Sequence, residues 1–380
     1  MLDQVVVGLL ASTCGTYSYV GRSILAGLRH AIDEINADPA FDFTLDAREY
    51  DPEGELQNYI TGVDQLLGQG ARHIFGTTTS SSRKEIIPDL ERTGSLLWYP
   101  CPYEGYECSQ NVLYLGACPS QNLLPLLSYA ISGFGPDAYL IGSNYIWGWE
   151  SNRIARELLE LADGTVHAEK YYRFGDTDFD TLIDGIIHQR PSFILNNLVG
   201  ESSYHFLNQL NEACREHGLR LPVLSCNFTE SELAQIQTPD AIQLLSCGAF
   251  FEGVDPDFVA GQHRRHGIQP ISHCYTTAYV SMHLFANAVR AVGHDHPEAI
   301  SETLANLNVP TVLGRLQMSE HNNHFALPCH IAEAGPCHFR LVHTENQAIP
   351  ADPYLVQSDF DAFRNLATDR QQRNFLRLVK

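Results

Sequence analysis

The chain has few cations, only three methionines and three tryptophans, and no apolar run long enough to cross a bilayer. Each lack excludes something. With 24 Lys and Arg against 45 Asp and Glu, the net charge is -21, so there is no basic footprint for DNA or RNA. The longest strand-like apolar run near the start, 5–10, is too short to span a membrane. No basic region or cleavage site precedes it, so the chain reads as starting at Met1 without a leader, although a processed chain with an added Met1 has the same look. Gly-x-Gly-x-x-Gly, a Walker-type Gly-Lys-Ser/Thr and a Gly-x-Ser-x-Gly elbow are all missing, which removes the usual nucleotide and serine-hydrolase signatures. The ten cysteines include no Cys-x-x-Cys pair. Several, such as Cys118, Cys226 and Cys247, lie in apolar runs where a free thiol behaves as a small hydrophobe, so they read as reduced cytosolic thiols.

At 380 residues the chain predicts about two domains. Strand-length apolar runs at 5–11, 43–49, 73–77 and 96–99 alternate with amphipathic helical segments at 20–36, 55–68 and 82–92. The alternation restarts with strands at 112–118, 138–143, 166–172, 193–198, 223–226 and 248–253. Helical stretches at 122–132, 150–162, 179–189, 202–217 and 230–237 separate them. Two long helices, 276–292 and 296–307, and single strands at 316–317, 330–333 and 339–342 follow. The expected fold is α/β, two doubly wound parallel-sheet lobes with multiple crossovers. Lobe 1 takes 1–118 plus about 254–328, and lobe 2 takes 119–253 plus about 329–380. A ligand cleft is expected between the lobes, outside the strands' carboxyl ends.

The most informative stretch is 97–107, an apolar run ending in a Pro-x-Pro turn rich in aromatics. Such residues line a pocket rigidly because little entropy is lost on fixing them. No nucleophile–base pair accompanies them, so the chain reads as a binder rather than an enzyme. His263-Arg264-Arg265-His266, His294-Asp295-His296 and His321-Asn322-Asn323-His324 lack a third ligand and read as surface or loop histidines. No metal or cofactor is expected.

Several motifs, in order along the chain, carry a resemblance. They are Ser82-Arg83-Lys84 before Pro88, Tyr99-Pro100 with Pro102-Tyr103-Glu104-Gly105, and Ser109-Gln110-Asn111. Further on come Ile141-Gly142-Ser143-Asn144-Tyr145-Ile146, Glu150-Ser151-Asn152, Asn322-Asn323-His324 and Asp352-Pro353-Tyr354. With them the chain resembles the type I periplasmic-binding-protein family, most closely cytosolic amide receptors of the AmiC type, and is similar to the urea-binding proteins of ABC importers. The resemblance implies a ligand held by Thr78, Ser80, Tyr99, Cys101 and Pro102 on the first lobe. Tyr145, Trp147, Asn227 and Phe228 would complete the site. Thr78 and Trp147 stand where the amide receptors have tyrosines, and Cys101 where they have a threonine. The implied ligand is a short amide, urea or an analogue. The implied role is a cytoplasmic sensor that holds an RNA-binding antitermination regulator and represses an amidase operon. The alternative is an importer's solute-binding component for urea, short amides or branched-chain amino acids, periplasmic if a signal peptide was removed. Neither role calls for direct nucleic-acid or membrane contact, and a homo-oligomer is left open.

From the residues themselves, Ser80 is placed to cap the helix at 82–92 or to lie beside its free N–H groups. Tyr99, Tyr145 and Trp147 offer flat walls with O–H and N–H handles. Glu104 reads as part of a structural turn, and Arg83-Lys84 as cations opposed to the helix dipole that need a compensating group.

Overall fold

The computed structural model describes residues 3–366. The chain divides into two compact units. Among the described residues, unit 1 comprises 3–118 with Ala249–Cys329 and Glu345–Pro353; unit 2 comprises Pro119–Gly248, His330–Thr344 and 354–366.

The first pass through unit 1 runs β1 (Gln4–Leu10), α1 (Ser18–Ala37), β2 (Thr44–Tyr50), α2 (Leu56–Gly68) and β3 (His73–Gly76). It continues with α3 (Ser80–Thr93), β4 (Leu96–Tyr99) and β5 (Val112–Tyr114). Unit 2 follows with α4 (Leu123–Gly133), β6 (Ala138–Ser143), α5 (Ile146–Leu161), β7 (Val166–Tyr172) and α6 (Asp180–Gln189). Next come β8 (Phe193–Asn197), α7 (Glu201–Glu216), β9 (Leu221–Ser225), a 3-10 turn (Glu230–Gln235) and β10 (Ile242–Gly248). The chain returns to unit 1 for α8 (Pro256–His266), α9 (His273–Val292), α10 (Pro297–Asn306) and the small pair β11 (Pro310–Thr311) and β12 (Gly314–Arg315). It crosses to unit 2 for β13 (His330–Ala334) and β14 (Phe339–Thr344).

The unit 1 sheet has the order β2-β1-β3-β4-β5, all parallel. The unit 2 sheet has the order β14-β13-β10-β9-β8-β6-β7, with β13 and β14 antiparallel additions at one edge. Central strands are buried on both faces, which explains their unbroken apolar runs; edge strands β2 and β7 are mostly part-exposed. The long α9 buries most of its length, and its Ser272 cap is tied to Ser23 of α1 at 2.7 Å.

Several elements differ from the sequence reading. The strand expected at 248–253 is β10, Ile242–Gly248, because pairing with β9 sets Ile242 opposite Leu221. The apolar residues after it are buried loop. Residues 256–266 form α8, whose polar sequence conceals a helix with only Val259 and Gln262 buried. The strand expected at 316–317 is replaced by β11 and β12 just before it. The segment 230–237 is a 3-10 turn. The return to unit 1 begins at Ala249, and Glu345–Pro353 also belongs there, held by a bridge between Leu327 and Ile349. The part of the expected lobe 2 beyond residue 366 lies outside the described residues.

Candidate functional site

In unit 1 the strand order reverses between β1 and β3, so the loops leaving their carboxyl ends run to opposite sides of the sheet, which is where ligands bind in open α/β sheets. The chain enters this edge at Ser12, at 77–80 and at 100–104. The exit from β3 is strained. A Cβ on Gly76, at φ 124°, would stand 2.3 Å from the Leu10 carbonyl, so only glycine fits. Thr77 follows at φ 49°, a left-handed conformation that a β-branched residue rarely takes. Strain of this kind concentrates at functional sites.

Hydroxyls dominate the edge. Tyr59 bridges Ser12 at 2.9 Å and Thr78 at 3.1 Å. The Ser80 hydroxyl donates to Glu104 Oε2. The Thr77 hydroxyl and the Tyr99 phenol are buried without a hydrogen-bond partner. Burial pushes the Tyr99 phenol well above its ordinary pKa, so it stays protonated. Cys101 Sγ lies 3.8 Å from the Thr77 carbonyl, and Pro102 is half-buried beside it.

Behind these hydroxyls lies a buried charge cluster. The Arg83 side chain has no exposure. Its Nε donates to Glu107 at 2.6 Å, and its Nη2 to Glu104 at 3.3 Å. Lys84 Nζ donates to Glu107 at 2.7 Å and lies 3.7 Å from Glu104. The Arg83 guanidinium also sits 4.7 Å over the Tyr99 ring and 4.6 Å over Tyr103. Burial alone would raise Glu107, but Arg83 and Lys84 outweigh it and bring its pKa down to about 2. Two cations thus face two carboxylates, and the cluster offers a ligand no net charge.

In unit 2 the corresponding edge lies at the ends of β6, β8 and β9. Tyr145 is the N-cap residue of α5 and packs 5.1 Å from the Phe174 ring. Trp147 is buried with its Nε1–H unpartnered. Asn197 donates to Asn152 at 2.8 Å, Asn196 to Ser203 at 2.9 Å, and the Val199 N–H to Ser143 at 3.1 Å. Asn227 is half-buried and accepts from Ser225 at 2.7 Å. Phe228 points into the unit's interior, with its ring 6.4 Å from those of both Tyr204 and Phe339. Glu232 is buried nearby, accepting from Tyr204 and from the Thr229 backbone, and burial raises its pKa to about 7.

Of the residues named from sequence, Thr78, Ser80, Tyr99, Cys101 and Pro102 lie on the unit 1 edge, and Tyr145, Trp147, Asn227 and Phe228 in unit 2. Ser80 is not the cap of α3. That role belongs to Thr79, whose hydroxyl and Ser82's form a reciprocal capping box. Glu104 is more than a turn residue, because it binds Ser80 and Arg83. Glu107, Tyr59 and Ser12 were not singled out; the one sequence signal for Glu107 is the pair of cations at the start of α3, which demands buried acid. Among the described residues no group of three metal-ligating side chains is assembled, and no helix is long and apolar enough to cross a membrane.

The arrangement is that of a ligand receptor: two α/β sheets, each with a polar carboxyl edge. Residues 5–359 match the periplasmic binding protein domain, and the chain belongs to that family. It is a ligand-binding protein of periplasmic type. Solved structures agree on the fold. A Rhodopseudomonas palustris HaA2 solute-binding protein with p-hydroxybenzoic acid superposes at TM-score 0.83 and 16% identity, over 94% of this chain and 100% of that one. A benzoate complex from R. palustris gives 0.79 and 17%, over 92% and 98%. The branched-chain amino acid binding protein LivJ of Streptococcus pneumoniae, with isoleucine, gives 0.77 and 16%, over 90% and 99%.

Proposed function

We propose that this chain is the solute-binding component of an importer and takes a small uncharged polar molecule of the amide or urea class. The observation that carries the ligand class is the balanced cluster of Arg83, Lys84, Glu104 and Glu107 behind a hydroxyl-lined edge. A site with no spare charge favours a neutral ligand recognised by directional hydrogen bonds. In unit 1 Tyr99 adds a buried, unpartnered O–H for such bonds, and in unit 2 Trp147 has a buried, unpartnered N–H. The importer role draws on the solute-binding proteins that share the fold.

A second reading is favoured by one observation. All ten cysteines are free, and Cys14, Cys108 and Cys337 are exposed, a load suited to a reducing compartment. It makes the chain a cytosolic sensor that holds a protein regulator until ligand arrives.

Thermal shift with acetamide, butyramide, formamide, urea, leucine and benzoate tests the ligand class. A ligand at ~100 times its dissociation constant adds ~2.7 kcal/mol. Stabilisation by amides or urea alone supports the proposal; a response to leucine or benzoate alone overturns it. Fractionation of the native host separates the two roles, since an importer component is recovered outside the cytosol.

A further inference from the structure

We propose that Glu104 sets the charge class of the ligand by accepting the hydrogen bond of the Ser80 hydroxyl. The proposal rests on the amide-class reading above and on Ser80 facing the ligand. A serine hydroxyl has one proton to give and two lone pairs to offer. Ser80 donates its one hydrogen bond to Glu104 Oε2. Glu104 cannot turn away: it is 1% exposed, and its other oxygen lies 3.3 Å from Arg83 Nη2 and 3.7 Å from Lys84 Nζ. Ser80 has no further partner among the described residues.

What remains on Ser80 is therefore an acceptor. An N–H of an amide or urea can donate to it. A carboxylate brought to the same oxygen meets lone pairs, with the Glu104 charge one hydrogen bond behind them. Two solved relatives are described in complex with benzoate and p-hydroxybenzoic acid. Here the same fold presents a hydroxyl polarised the wrong way for such a ligand. Glu104 is a positioning residue, because it acts through Ser80 and not by touching the ligand.

Calorimetric titration of the full chain with acetamide, urea and benzoate, in wild type, Glu104→Gln, Ser80→Ala and the double variant, tests this. Glutamine supplies both a donor and an acceptor, so Ser80 is free to turn its proton outward. The amide-to-benzoate affinity ratio should fall by about tenfold or more in Glu104→Gln. The same substitution should leave that ratio unchanged in the Ser80→Ala background. A ratio within about twofold of wild type in folded Glu104→Gln, or a shift that persists without Ser80, overturns the proposal.

If Glu104→Gln does not fold, wild type alone decides. N,N-dimethylacetamide and isobutyramide are isomers, and only the second keeps N–H donors. Isobutyramide should bind about tenfold tighter or more, and equal binding overturns the proposal. A wild type that binds none of acetamide, urea or isobutyramide removes the proposed ligand class, and this proposal with it. One that binds them with an unchanged Glu104→Gln ratio removes this proposal alone.

Discussion

The two units build the same kind of sheet edge from opposite materials. In unit 1 the polar groups behind the edge are ions, with Arg83 and Lys84 set against Glu104 and Glu107. In unit 2 they are neutral amides and hydroxyls: Asn152, Asn196, Asn197, Ser143 and Ser203. The two arrangements fail differently. An ion stripped of its partner in a dry interior is far more costly than an amide stripped of its own.

Substitutions can break this contrast. The largest effect is expected from Arg83→Met, which leaves Glu104 and Glu107 with only the half-exposed Lys84. Denaturant unfolding should show a loss of ~3–5 kcal/mol, and a loss below that of a neutral-network variant would erase the distinction.

Next comes pH, where the units should move in opposite directions. Glu107 titrates at about 2 in the folded protein. Its pKa is depressed, so its contribution of ~3 kcal/mol is present above about pH 4.5 and lost as pH falls toward 2. Glu232 titrates at about 7. Its pKa is raised, so its contribution of ~3 kcal/mol is complete below about pH 4.5 and lost as pH rises through 7. Stability profiles of Glu107→Gln and Glu232→Gln should each flatten one limb, the acid limb in the first and the neutral limb in the second. Identical profiles would show that neither group is set apart by its unit.

A smaller effect, ~1–3 kcal/mol, is expected from Asn152→Ala, which strands the Asn197 amide. Asn152→Leu with Asn197→Leu should cost less than the single change, and an additive double variant would mean that the pair is not a unit. Ser80→Ala and Tyr99→Phe should each weaken ligand binding by ~1–2 kcal/mol in calorimetry, Tyr99→Phe with little change in stability. Trp147→Tyr is expected to alter the ranking of amide ligands more than their affinity, and an unaltered ranking would make Trp147 a core residue.

Much of the frame was legible from periodicity. The strands at 96–99, 138–143 and 166–172 have the same bounds in both readings. Errors fell where local pattern and tertiary pairing disagree. Residues 248–253 are as apolar as a strand, but β9 pairs with the segment before them. The helix α8 carries His263-Arg264-Arg265-His266, so its narrow buried stripe is hidden among charges. The site was legible in part. Loops after β3 and β4 announce themselves by composition, and it is the family resemblance that names Ser80, Tyr99 and Pro102 in them. Nothing local shows that Glu104 and Glu107, more than twenty residues beyond Arg83, turn back to meet it.

By itself the sequence determined the alternation of strands and helices, the tandem of two α/β units and the loops that carry the polar edges. Those follow from side-chain spacing and turn chemistry, which act over a few residues. Only the tertiary structure decided the proton arrangement at Ser80, the burial of Arg83 and the opposite pKa shifts of Glu107 and Glu232. Each depends on which charges share a low-dielectric interior, and burial and distance are set by packing between segments far apart in the chain.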